Sequence, residues 1–346
     1  MARMDLRAQA FAWLTRRTGS VAGMTDEQVI AIQKRSMPDW KVSNWIFGTV
    51  PPGVAANDQV IPGPGGNGEG GRVTVRVYRA GSGPAAAARP LVLYFHGGGF
   101  VLGALRMGDW MCGNVAAQVG AVVVSVDYRL APSHPFPAAV EDCYAALTWA
   151  AANAAELGAG AGDGAGAAGG VGWVGRIGVM GESAGGNLAA VVSLAARDRG
   201  GPAIAHQALL YPATDMSDSG TSIPAARASR NPAFVHADEM ETYRRMYLAA
   251  DGDATNPLAS PMLAPSHEGL PPALVLVGEH DPLRQDGTRY AEKLKAAGVP
   301  VRFTEYLGMP HGFLNFPGLC RSAPQALAEL LAEQEAALTP ASQAVS

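Results

Sequence analysis

Ser183 sits in the pentapeptide Gly181-Glu182-Ser183-Ala184-Gly185, after the apolar residues 177–180 and before Gly186-Asn187-Leu188-Ala189-Ala190-Val191-Val192. The run before it reads as a buried strand and the run after it as the opening of a helix. On a strand-to-helix turn this tight, both flanking positions must be glycine, and the serine hydroxyl is lifted clear of the sheet, as a nucleophile requires. The pattern alone is weak: with 43 glycines in 346 residues, G-x-S-x-G arises by chance roughly 0.3 times. A hydroxyl is also a poor nucleophile at its own pKa. The chemistry therefore needs a base to take its proton, an acid to orient that base, and donors for the negative charge that grows on the attacked carbonyl.

All three have candidates. Leu274 to Gly278 reads as a buried strand that runs into Glu279-His280-Asp281-Pro282-Leu283. Val301 to Tyr306 alternates as another strand, followed by Leu307-Gly308-Met309-Pro310-His311-Gly312-Phe313. Asp281 is the candidate acid and His311 the candidate base. Singly, an Asp beside Pro usually forms a turn, and an isolated His usually packs or faces solvent. At the ends of successive strands, in the chain order Ser, Asp, His, they favour the catalytic reading. Upstream, His96-Gly97-Gly98-Gly99-Phe100 follows the apolar run Leu91 to Phe95. Consecutive glycines let main-chain amides approach a substrate, and each such donor is worth about 3 kcal/mol in the transition state. Gly97 and Gly98 are the expected oxyanion-hole donors, with Ala184 as the third. A merely flexible loop is the competing reading, and the position of the run between a strand and the elbow argues against it.

Further matching segments are Asp127-Tyr128-Arg129-Leu130-Ala131-Pro132, His134-Pro135-Phe136-Pro137-Ala138-Ala139 and Asn256-Pro257-Leu258-Ala259-Ser260-Pro261. Together with the serine, histidine and aspartate segments, spread in order over about residues 72–316, they resemble the hormone-sensitive lipase family of α/β-hydrolases, in its bacterial esterase branch. The resemblance implies an α/β-hydrolase fold with a helical cap, and hydrolysis of small-molecule carboxylic esters, often of short or medium acyl chain, with no cofactor. Glu182 stands where many relatives carry Asp or another residue, and Ser133 where an acid is common. Glu182 is expected to support the loops that carry Asp281 and His311. Hydrolysis of amides or lactones would use the same machinery, because fold and triad do not define the leaving group. A receptor-like, non-catalytic protein is a further alternative; such relatives lack the triad histidine, which is intact here.

The elements that must position these groups follow from hydropathy. Strands are predicted at 73–79, 91–95, 121–126, 177–180, 207–211, 273–277 and 301–306, separated by helix-length segments. Such alternation indicates a mostly parallel sheet covered by helices on both faces. Residues 51–71, rich in Pro and Gly, read as a linker or ordered loop. Residues 1–50 read as largely helical, with Trp13, Trp40, Trp45 and Phe47 as bulky apolar surface. Within 212–260, Phe234, Met240, Tyr243, Met246 and Tyr247 are spaced for one helix face. The expected organisation is a cap built from 1–50 and 212–260 over a core built from 51–211 and 261–346. The Gly/Ala stretch 158–172 reads as an exposed flexible insertion. G-x-G-x-x-G matches at Gly66-Gly68-Gly71, Gly164-Gly166-Gly169 and Gly170-Gly172-Gly175 neither follow a strand directly nor open a helix, so a dinucleotide site is rejected.

Composition agrees with a soluble enzyme. A net charge of −4 and a pI near 6.0 leave no electrostatic footprint for nucleic acid or an anionic membrane. Cys112, Cys143 and Cys320 are odd in number and widely spaced, which points to thiols in a reducing compartment, and no Cys/His cluster suggests a metal. The short N-terminal apolar stretch between arginines is not read as a signal peptide, and no run is long enough to span a bilayer. Cytoplasmic location is the expectation; a homodimer is left open.

Overall fold

The computed structural model describes residues 3–4, 6–10, 20–35, 40–64, 71–81, 89–159, 176–217, 220, 222–228, 235–250 and 252–339. Trp13, Phe234 and residues 160–172 lie outside these, as do all but Gly71 of the glycines in the three G-x-G-x-x-G matches. In chain order the elements are α1 (Asp26–Gln33), α2 (Lys41–Phe47), β1 (Val54–Pro62), β2 (Arg72–Ala80), β3 (Leu91–Phe95), α3 (Asp109–Gln118), β4 (Val122–Asp127), α4 (Ala138–Ala152), β5 (Ile177–Glu182) and α5 (Ala184–Asp198). They continue with β6 (Ile204–Leu210), α6 (Ser222–Ala228), α7 (Ala237–Leu248), β7 (Ala273–His280), α8 (Arg284–Ala296), β8 (Val301–Pro310) and α9 (Ala323–Leu338).

The eight strands form one sheet in the order β1-β2-β4-β3-β5-β6-β7-β8. Pairing is antiparallel from β1 to β2 and from β2 to β4, and parallel from there to β8. The central strands are covered on both faces, so they read as unbroken apolar runs whose alternate side chains enter two different cores. Leu91, Leu93 and Phe95 of β3 pack with α4, α5 and α8, whereas Val92 and Tyr94 pack with α3 and α9. This is the sheet architecture that the family resemblance implies.

Residues 51–71 depart from the loop expectation, because Val54–Pro62 is an antiparallel edge strand against β2. Its side chains are mostly exposed and include Asn57, Asp58 and Gln59, so the apolar alternation that marks a half-buried strand is missing. The N-terminal region supplies α1 and α2. Thr25 caps α1 in a reciprocal arrangement with Gln28, which satisfies amides the helix start would otherwise leave open. At the other end of α1, Gln33 donates to the carbonyls of Val101 and Ala131, each at 2.7 Å. Val29 of α1 and Met246 of α7 share a small core with Val101 and Ala131. Phe100 stacks on Tyr247 with ring centroids 3.7 Å apart. Two segments remote in sequence thus meet over the loop after β3. No helix among the described residues is long and apolar enough to cross a membrane.

Candidate active site

The parallel strands all point their C-terminal ends at one rim, and the chemistry-bearing residues stand there: His96 after β3, Ser183 after β5, Asp281 after β7 and His311 after β8. Gly181 and Gly185 allow β5 to turn into α5 at Ser183. A β-carbon on Gly181 would collide with the Gly185 carbonyl, and one on Gly185 with the Phe95 carbonyl. Ser183 itself takes φ +55° and ψ −116°, a conformation that costs a non-glycine residue on the order of 1–3 kcal/mol and persists only where its surroundings enforce it. They do so here: the Ser183 amide donates to the Leu210 carbonyl at 2.9 Å, and its own carbonyl accepts from Asn187 and Ala213. Asn187 is buried and donates its side-chain amide to the carbonyls of Ala213 and Ala259, which ties α5 to the Asn256–Pro261 segment.

The three residues expected to act together do lie together. His311 Nε2 is 2.9 Å from Ser183 Oγ, and His311 Nδ1 is 2.9 Å from Asp281 Oδ2. A carboxylate only accepts, so Nδ1 carries the proton and Nε2 presents its lone pair to the serine hydroxyl. The second Asp281 oxygen accepts the Leu283 amide at 2.7 Å. Both side chains are buried, so the carboxylate cannot turn toward water. Tyr211 stands edge-on to the imidazole, with centroids 5.1 Å apart.

In the glycine-rich loop after β3, the first glycine makes a hydrogen bond within the protein. The Gly97 amide donates to Glu182 Oε1 at 3.2 Å, and Gly97 also borders the cavity that holds Ser183 and His311. Gly98 and Gly99 follow, with φ +117° and +64°. The turn they form is closed by the Val101 and Leu102 amides on the Gly98 carbonyl, which leaves their own N–H groups out of that turn. Gly98, Gly99 and Ala184 all border the same cavity as Ser183 and His311. Ala184 is the first residue of α5, so its N–H has no intrahelical acceptor. Which glycine amide faces the serine depends on backbone rotation, which composition does not reveal.

His96 is structural. It is fully buried, stacks on Tyr128 at 4.2 Å and places Nδ1 2.8 Å from the Gly97 carbonyl. Burial lowers its pKa to about 4, so it is neutral. Arg129, from the same segment as Tyr128, grips the buried Asp142 of α4 through its side chain and its own amide. Glu182 is fully buried. Its carboxylate accepts from Tyr94, Tyr211 and Gly97, and from Asn315 beyond His311.

The cavity measures about 390 Å³. Phe47, Leu102, Met107 and Phe316 form part of its wall, and Met240 and Tyr243 of α7 face them from the other chain segment. Of the helix-spaced residues in α7, Met246 and Tyr247 are instead buried in packing. Trp40 and Trp45 remain exposed. Cys112, Cys143 and Cys320 are buried away from this cavity as thiols.

Comparison with known proteins follows the same lines. A family model described as the α/β hydrolase fold matches residues 92–315. Esterase LipI of Mycobacterium tuberculosis is 40% identical over 279 residues, 80% of this chain and 80% of that protein. Carboxylesterase NlhH of the same organism is 41% identical over 252 residues, 72% of this chain and 74% of its own. Among solved structures, the hyperthermophilic esterase of Pyrobaculum calidifontis has a TM-score of 0.78 and 35% identity, covering 97% of this chain and 99% of that one.

Proposed function

Because the chain belongs to the hormone-sensitive lipase branch of the α/β-hydrolase family, we propose that it is a carboxylic ester hydrolase with Ser183 as nucleophile, His311 as base and Asp281 as orienting acid. What carries this reading is the unbroken series of 2.9 Å contacts from Ser183 through His311 to Asp281, set against a cavity. Ser183 Oγ adds to the ester carbonyl as His311 Nε2 takes its proton. The oxyanion is received by the amides of Gly98, Gly99 and Ala184. When the intermediate collapses, the C–O bond to the alcohol breaks and His311 protonates the leaving oxygen. A water deprotonated by His311 then attacks the acyl-enzyme, and collapse returns the proton to Ser183 and frees the acid. Residues 1–50 and 212–260 act as the cap, and the apolar walls suit short- to medium-chain acyl groups.

The test is a series of p-nitrophenyl acetate, butyrate and octanoate with wild type and Ser183→Ala. Wild type is expected to cleave at least the shorter esters, and Ser183→Ala to lose at least ~10⁴-fold in kcat. Wild type inert on all three, or activity surviving in Ser183→Ala, overturns the proposal.

A further inference from the structure

We propose that Glu182 is a positioning residue for this reaction: its one buried carboxylate sets the oxyanion loop and the wall of the base histidine relative to Ser183. The inference rests on the ester-hydrolase reading and concerns a residue that touches neither substrate nor any reacting atom.

Three parts of the site converge on it. Tyr94 of β3 donates its hydroxyl to Oε1 at 2.8 Å, and the Gly97 amide donates to the same oxygen at 3.2 Å. This fixes the first glycine of the loop whose next two amides are the proposed donors. Gly97 also lies so close that a β-carbon there would stand 3.1 Å from the Glu182 carbonyl. On the other side, Tyr211 donates to Oε2 at 3.0 Å while its ring stands edge-on to His311. Asn315, in the turn after His311, also bonds to this carboxylate. The backbone of Glu182 leads directly into Ser183. Nucleophile, oxyanion donors and base thus share one anchor, and the group is fully buried. Burial pushes its pKa up, and the hydrogen bonds from Tyr94, Gly97, Tyr211 and Asn315 oppose that push. An aspartate at this position would be one methylene short of holding both tyrosines and the glycine amide.

A residue of this kind acts on the transition state more than on substrate binding. The test compares wild type, Glu182→Gln and Tyr94→Phe on p-nitrophenyl butyrate. Two inhibitors separate the states: a short-chain trifluoromethyl ketone, which Ser183 converts to a tetrahedral adduct, and butyrate, the product. Glu182→Gln is expected to lower kcat/KM by about 10–100-fold, less than the ~10²–10³-fold from deleting an oxyanion donor outright. Its Ki for the trifluoromethyl ketone should rise by a matching factor while its Ki for butyrate stays within twofold. Tyr94→Phe, which removes one hydroxyl and keeps the ring, should show the same split on a smaller scale; it decides the matter if Glu182→Gln does not fold. Folded variants with wild-type kcat/KM and wild-type Ki overturn the inference, as does equal weakening of ketone and butyrate. An inert wild type overturns the ester-hydrolase reading and this inference with it, whereas an active wild type with indistinguishable variants overturns this inference alone.

Discussion

An imidazole that meets a hydroxyl on one nitrogen and a carboxylate on the other has its tautomer set by its neighbours, and His311 is so placed. His311→Ala is therefore expected to lose kcat by at least ~10⁴-fold. Asp281→Asn keeps the shape but permits the wrong tautomer, and should lose on the order of 10³–10⁴-fold. Both should retain wild-type circular dichroism. Near-normal turnover in His311→Ala would remove it as the base. These residues could be read from the sequence because each lies in a short motif at a strand end. Tyr211 could not: an aromatic after an apolar strand looks like packing, and its role comes from two contacts made to distant residues. Gly97 is the opposite case. The sequence shows that backbone can approach there, but not that a buried carboxylate claims the amide.

At the scale of elements, the parallel strands were legible because burial on both faces leaves an uninterrupted apolar run, whereas the exposed edge strand β1 left no periodic trace. The start of α8 carries a consequence that the sequence hides. Asp286 is fully buried, and one of its oxygens accepts the amides of Thr214 and Asp215, which pins the segment leaving β6 beneath the cavity. Burial, reinforced by Asp215 nearby, pushes its pKa up to about 7 from the usual 3.8. Between those values the native state holds a proton that the unfolded chain has released, so this group's contribution to stability falls as pH rises through the window. Asn at 286 keeps an oxygen for both amides and cannot ionise. Relative to wild type, Asp286→Asn should gain a few degrees in Tm between pH 5 and pH 8, measured by differential scanning calorimetry. Parallel Tm profiles for the two proteins would show that Asp286 does not titrate in this range.

At the scale of the molecule, the cavity belongs to no single segment. The loop after β3 forms one side, and α7, from the long connection between β6 and β7, forms another. Hydropathy gave the helix face of α7 but not which of its residues would look inward, because that depends on how the helix seats on Val101, Ala131 and Phe100. Tyr243 is the inward residue that lies against the oxyanion loop. Its ring occupies the space a β-carbon on Gly99 would need, so the loop's glycine and the helix's aromatic are complementary. Removing the ring enlarges the cavity beside the loop. A buried methylene is worth about 0.8 kcal/mol and a tenfold rate ratio about 1.4 kcal/mol, so room for even two more methylenes is measurable. Tyr243→Ala is expected to lower kcat/KM for p-nitrophenyl butyrate and raise the octanoate-to-butyrate ratio by at least about fivefold. The lost support over Gly99 accounts for the first change and the added volume for the second. A ratio unchanged from wild type would mean that the acyl chain leaves Ser183 in another direction, toward Phe47 and Met107.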